Sequence, residues 1–260
     1  MAWAGQPLFY AAYGEDSAGQ PPVVLVHGAG GTHLHWPPQV RRLAGMRVLA
    51  LDLPGHGQSA TADAARQAAS SIEVKTAAVL AVLDELRIER AVVVGHSMGG
   101  AIALALALAQ PERVAGLGLV GAAARLRVAP EILEGLRRDI AGTVAAVVER
   151  MFGPTAPERL KALALKRMLE VDAAVLLADW EACNEFDVRE RLGEIAAPCL
   201  VVTGSADVMT PEKYGRYLAE TLPAARLHVE VGAGHMVMLE RPEAVAQVLG
   251  EWVRKVQSGE

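Results

Sequence analysis

Cysteine is nearly absent from this 260-residue chain: Cys183 and Cys199 are the only two. Two cysteines make no disulfide framework, and neither has the close Cys or His partners that a zinc site needs. Cys199 falls in the apolar run Cys199-Leu200-Val201-Val202, which reads as a buried thiol. A basic block is also missing. Lys and Arg number 25 against 30 Asp and Glu, a formal charge of −5 with a pI near 5.8, which argues against nucleic acid or an anionic membrane surface as an obligate partner. The first ten residues have neither a basic n-region nor an apolar h-region, so no signal peptide is evident and a reduced, cytoplasmic setting is expected. No repeat, low-complexity tract or charged tail appears. No set drawn from His33, His35, His56 and His228 has metal-ligand spacing, and neither a metal nor another cofactor is expected. Residues 91–110 carry no full charge over the length of a membrane span. However, Gly95-His96-Ser97-Met98-Gly99-Gly100 interrupts that run, and a buried strand feeding a buried helix explains it without a membrane.

What the chain has is apolar mass: 52% hydrophobic residues and a mean hydropathy of +0.24 allow one sizeable core, with or without an insertion. An opening strand is predicted over 8–13. Runs at 23–26, 47–51, 91–94 and 114–120 are short and apolar along their full length, with helical pattern between them. Ser70 and Glu73 have capping-box spacing ahead of an amphipathic helix over 72–86. This is the pattern of a parallel sheet covered on both faces. After Gly121 the rhythm changes, and 122–191 reads as helices at 131–140, 143–151, 158–170 and 172–185 with no convincing strand. Strands return at 199–203 and 227–231. Thr210-Pro211-Glu212 is predicted to cap one helix and Pro242 to start the last. The expected organisation is an α/β core built from 1–121 and 192–260, its mostly parallel central sheet flanked by helices, with an all-helical lid inserted at 122–191.

Ser97 stands in Gly-x-Ser-x-Gly between a predicted strand and an Ala/Leu-rich helical segment. In that context the turn reads as a nucleophile elbow, with small residues required on both sides of a strained serine. A serine hydroxyl needs a base, and the base an orienting acid. His235 follows the last predicted strand on Gly232-Ala233-Gly234, and Asp207 follows the preceding one on Gly204-Ser205-Ala206. Both sit at strand C-terminal ends, the edge where Ser97 emerges and where reactive groups of open α/β sheets collect.

Five motifs now make the chain resemble the α/β-hydrolase superfamily over essentially its whole length. They are His27-Gly28-Ala29-Gly30, Asp52-Leu53-Pro54-Gly55-His56-Gly57-Gln58-Ser59, Gly95-His96-Ser97-Met98-Gly99-Gly100, Gly204-Ser205-Ala206-Asp207 and Gly232-Ala233-Gly234-His235. The resemblance implies an α/β-hydrolase fold with Ser97 as nucleophile, His235 as general base then acid, and Asp207 as its orienting partner. It further implies an oxyanion hole from the backbone N–H groups of Ala29 and Met98. His96 and His27 read as packing or loop-holding residues, and Asp52 as a loop organiser.

Serine at the elbow excludes the aspartate-nucleophile branches and leaves esterases, lactonases and C–C bond hydrolases, which the triad alone does not separate. Met151, Trp180, Phe186, Met209 and Met236 are candidate substrate-pocket residues, an apolar set that fits a small-molecule carboxylic ester of small to medium size. An enol-lactonase or C–C hydrolase of an aromatic degradation pathway is the alternative. Its charged substrates would want an arginine, for which Arg125, Arg127, Arg137 and Arg138 are candidates. A non-catalytic ligand receptor on the same fold is the reading from another class.

Overall fold

A computed structural model describes residues 2–3, 6–15, 19–59 and 71–260. Seven strands form the central sheet: β1 (Tyr10–Tyr13), β2 (Val23–Val26), β3 (Val48–Leu51), β4 (Ala91–His96), β5 (Val114–Val120), β6 (Cys199–Gly204) and β7 (Ala225–Glu230). Their spatial order is β1-β3-β2-β4-β5-β6-β7, with β1 antiparallel to β3 and every other pairing parallel. The interior strands β2 to β6 are buried at every residue, which is why their sequences do not alternate.

Period-two geometry sends alternate residues of each strand to opposite layers. Val24, Val26, Leu49, Leu51 and Val93 pack in one layer with residues of α1 (Ile72–Glu85) and α2 (Met98–Ala109). Val23, Leu25, Val48, Val92 and Val94 pack in the other with Trp36, Val40, and Leu249 and Val253 of the final helix, Pro242–Ser258. The predicted cap Ser70 lies outside the described residues. Ser71 caps α1, its Oγ accepting the Val74 N–H at 3.3 Å.

Between β5 and β6 run α3 (Pro130–Arg138), α4 (Ile140–Met151), α5 (Glu158–Leu169) and α6 (Ala173–Glu185). Asp139 caps α4 through the Gly142 N–H at 3.0 Å, and Asp172 caps α6 through the Ala174 N–H at 2.8 Å. The stem of this helical segment closes at an antiparallel bridge between Arg125 and Asp187, flanked by Val188 N–H to Ala124 O at 2.9 Å. At its far side the Met236 N–H donates to Met151 O at 3.0 Å. Glu240 accepts the Gly153 and Gly234 N–H groups, each at 3.0 Å. The α7 helix spans Glu212–Thr221, with Pro211 at its N-cap and no side-chain capping bond. Thr210 therefore does not cap it as expected; its hydroxyl is engaged elsewhere.

The start of α2 packs on the end of β2 too closely for a side chain. A Cβ on Gly99 would run into the Val26 carbonyl, whereas one on Gly193 would meet nothing within 4 Å. Gly99→Ala should therefore lower unfolding free energy by about 3 kcal/mol or more in urea titrations, despite alanine's better helix propensity. Gly193→Ala should stay within about 0.5 kcal/mol of the parent. Equal midpoints for the two variants would contradict the close-approach argument.

Candidate active site

Ser97 holds φ +53° and ψ −114° between the end of β4 and the start of α2. Arg87 is the other non-glycine with positive φ among the described residues. Such a backbone costs about 1–3 kcal/mol and persists where the surroundings over-determine it. Here the Ser97 N–H donates to Val120 O at 2.9 Å, its carbonyl accepts the Gly100 N–H at 2.8 Å, and a Cβ on Gly95 would collide with the Gly99 carbonyl. The Ser97 hydroxyl bonds no described residue. It opens into a cavity of about 240 Å³ that His235 also lines.

The loop after β6 carries Asp207 and the loop after β7 carries His235, both buried. His235 Nδ1 lies 2.9 Å from Asp207 Oδ2, and Asp207 Oδ1 accepts the Met209 and Thr210 N–H groups at 2.8 and 2.9 Å. Burial disfavours the Asp207 carboxylate, but the His235 ring and the Thr210 bonds outweigh that and hold its carboxyl below the usual range. The Thr210 hydroxyl sits 2.8 Å from Asp207 Oδ2, 2.9 Å from Gly121 O and 3.1 Å from His235 Nδ1. Thr210 is thus part of the site. Its one sequence signal is its place three residues after Asp207, which reads equally well as a helix cap.

His27 holds the loop after β2. Its Nε2 accepts the Leu53 N–H at 3.0 Å, so Nδ1 carries the proton and donates to Gly28 O at 2.8 Å. Burial, reinforced by the nearby His56 ring, takes the His27 pKa down to about 3. Ala29, in that loop, lines the cavity, and Met98 opens α2; neither N–H is given to another described residue. His96 donates from Nε2 to His235 O at 3.1 Å. Burial, then the His235 charge, takes its pKa well below the usual value, so it stays neutral. Asp52 accepts the His33 N–H at 2.7 Å, His33 Nδ1 at 2.8 Å and the Gln58 N–H at 2.9 Å, bonds that organise two loops. Asp179 of α6, which no sequence motif marks, is wholly buried beside His56 and Lys75.

Of the five pocket candidates, Met151, Trp180 and Met209 line the cavity, whereas Phe186 and Met236 do not. Phe186 ends α6 packed with Leu126, Cys183 and Leu192 in the core, and Met236 is fully buried in the opposite layer. Arg125 and Arg127 reach the cavity, joined by Arg150. Arg137 instead pairs with Glu181, and Arg138 is exposed beside Glu134. Among the described residues no cluster of three or more His, Cys, Asp or Glu is placed to hold a metal ion, and no helix is long and apolar enough to cross a membrane.

A sheet of this order, with a strained serine and a His–Asp pair at one edge, defines an α/β-hydrolase fold. Residues 23–248 match the profile of the alpha/beta hydrolase family, and the chain belongs to it. It is 36% identical over 255 residues to a dihydrolipoyllysine-residue acetyltransferase component of an acetoin cleaving system from Pseudomonas putida, spanning 91% of this chain but only 64% of that protein. It is 33% identical to a 2-hydroxy-6-oxononadienedioate/2-hydroxy-6-oxononatrienedioate hydrolase from Paraburkholderia phymatum, over 91% of this chain and 88% of the relative. Among solved structures, the enol-lactonase from Burkholderia xenovorans superposes with a TM-score of 0.87 at 30% identity, covering 96% of this chain and 98% of that one. A thermophilic esterase from Thermogutta terrifontis gives 0.87 at 27% identity, covering 98% and 96%.

Three histidines buried around the loop after β2 and the turn at Ser97 make stability pH-dependent. His27 is pushed down to about 3, His35 to about 4 (chiefly by burial, then by His56), and His96 well below its ordinary value. Below pH 6.5 the unfolded chain takes up protons that the native state refuses, so stability falls with falling pH, by at most about 1.4 kcal/mol per unit for each ring. The carboxylates Asp52 and Asp207, held low, add a loss of the same sign only around and below pH 4. Urea midpoints of His35→Gln should therefore decline less steeply than the parent's between pH 6.5 and 5. Parallel declines would contradict a neutral buried His35.

Proposed function

We propose that the protein is a serine hydrolase that cleaves carboxylic esters of small to medium, largely apolar molecules. Ser97 Oγ attacks the acyl carbon as His235 Nε2 takes its proton. Asp207 holds the Nδ1 proton and stabilises the imidazolium that forms. The N–H groups of Ala29 and Met98, together with the N-terminus of α2, receive the charge that develops on the carbonyl oxygen. Collapse of this tetrahedral species returns the proton from His235 to the leaving alcohol. Water then repeats the sequence on the acyl-enzyme and restores the Ser97 hydroxyl.

The observation that carries this reading is the 2.9 Å contact of His235 Nδ1 with Asp207 Oδ2. It leaves Nε2 as the ring nitrogen without a described partner, at the wall of the cavity that Ser97 shares. Thr210 supports the pair from the side. The 122–191 segment acts as the lid, its Met151 and Trp180 giving the cavity an apolar wall that suits acyl or alcohol groups without charge. The esterase from Thermogutta terrifontis, similar over nearly its whole length, supports an ester as the bond cleaved.

A second reading rests on Arg125, Arg127 and Arg150 at the cavity wall. Guanidinium groups there suit a substrate with a carboxylate, as in the enol-lactonase and C–C hydrolase classes named for two similar proteins. A panel of aryl esters of increasing acyl length beside a dicarboxylate lactone and a vinylogous C–C substrate decides between them. The ester reading expects the highest kcat/KM on uncharged esters; preference for the dicarboxylates would replace it. In that panel Ser97→Ala and His235→Ala should each lose about 10⁴-fold or more, and the double variant little beyond that. Retention of a tenth of the activity in either single variant would remove the assignment, and binding without Ser97-dependent turnover would mark a receptor.

A further inference from the structure

We infer that Asp179, on α6 of the inserted segment, is a positioning residue for the proposed oxyanion hole: it fixes the peptide that follows Ala29 and, together with the bonds that hold Gly28 O, sets the backbone from which the Ala29 N–H is aimed. The inference rests on the proposed role of Ala29 and concerns a residue that never meets the substrate.

The Ala29 N–H belongs to the Gly28–Ala29 peptide. In a planar trans peptide the N–H points opposite the carbonyl, so whatever holds the carbonyl aims the N–H. Gly28 O accepts from His27 Nδ1 at 2.8 Å and from the Gly31 N–H at 3.0 Å. The next peptide, Ala29–Gly30, is held from the other side, where the Gly30 N–H donates to Asp179 Oδ2 at 3.0 Å, across 149 residues of sequence. Only the Ala29 Cα lies between these two planes. With both held, φ and ψ of Ala29 are set together.

The carboxylate is itself held on every side. His56 Nε2 lies 2.9 Å from Oδ2, and Lys75 Nζ lies 3.0 Å from Oδ1 as an ion pair without hydrogen-bond alignment. Asp179, His56 and Lys75 are all fully buried. Burial opposes the charge, but Lys75, His56 and the Gly30 N–H overcome it and keep the carboxyl far below the usual range. Gly30 brings the loop within reach: its φ is +65°, and a Cβ there would lie 2.8 Å from Leu176 and 3.1 Å from Met168, both on the insertion. Stability alone gives little reason for this arrangement, because apolar groups of similar size replace a buried ion pair at little or no cost. A charged acceptor for one loop N–H is what an apolar pair could not supply.

The test compares position 179 variants in a background without the buried cation, so that no charge is stranded. Lys75→Met/Asp179→Asn keeps a carbonyl oxygen for the Gly30 N–H; Lys75→Met/Asp179→Ala removes it, and Lys75→Met/Asp179→Val repeats the removal with the volume filled. On an aryl ester, well below the melting temperature of each variant, the Ala and Val forms should lose about 30-fold in kcat relative to the Asn form, with KM within about threefold. The Asn form should stay within about threefold of the parent protein. Equal kcat for the three double variants, or a loss confined to KM, would overturn the inference. Ser97→Ala in the same assay separates this outcome from failure of the nucleophile assignment, since residual turnover there removes the premise whatever position 179 does.

Discussion

The rest of the site depends on one steric constraint: the end of β4 and the first turn of α2 approach each other more closely than any side chain allows. Gly95 and Gly99 each leave the space that the other's backbone, or that of β2, occupies. The chain turns from strand to helix within one residue, and that residue is driven to positive φ. The strain is held by bonds on both sides, from Val120 and from the helix that begins immediately after. A serine there has its hydroxyl at a helix N-terminus, at the edge where the neighbouring strands also end.

Around that point several buried polar groups are held by directed bonds. His27 is neutral and bonded at both nitrogens, His96 gives its proton to the His235 carbonyl, and Asp207 is saturated by His235, Thr210 and backbone N–H groups. Such groups in a low-dielectric interior are costly if unpaired and directional if paired. The helical insertion takes part in this matching. Glu240, whose carboxyl is pushed up by burial against the pull of two N–H groups, joins Gly153 of the insertion to Gly234 beside His235. Asp179 joins α6 to the loop that carries Ala29. The insertion thus touches both the loop of His235 and the loop of Ala29 through buried carboxylates.

Much of this was legible in the sequence, for physical reasons. Strands buried on both faces show as unbroken apolar runs, so β2, β3, β4, β5 and β6 stand out. The elbow, Asp207 and His235 show because the turns that carry them demand glycine. Pocket lining was legible only in part: Met151 and Met236 look alike in sequence, yet one faces the cavity and the other the core, and no local pattern tells them apart. Asp179 was invisible for a similar reason. On α6 it has the look of Glu181 or Glu185, a charge on a helix, and Lys75 looks like the solvated side of α1. Their partnership across 104 positions is a property of the packing. Thr210 reads as a cap because it directly precedes Pro211 at a helix start.

In the proposed reaction the acyl group passes through the Ser97 oxygen. The most direct measurement is rapid acid quenching of an aryl-ester reaction, with tandem mass spectrometry of the digested protein to locate the transferred acyl group. The account predicts one acyl adduct, on Ser97, that forms with the burst of released alcohol. An adduct on another side chain, or a burst-free turnover in which water oxygen enters the product with no labelled protein at any time, would contradict it.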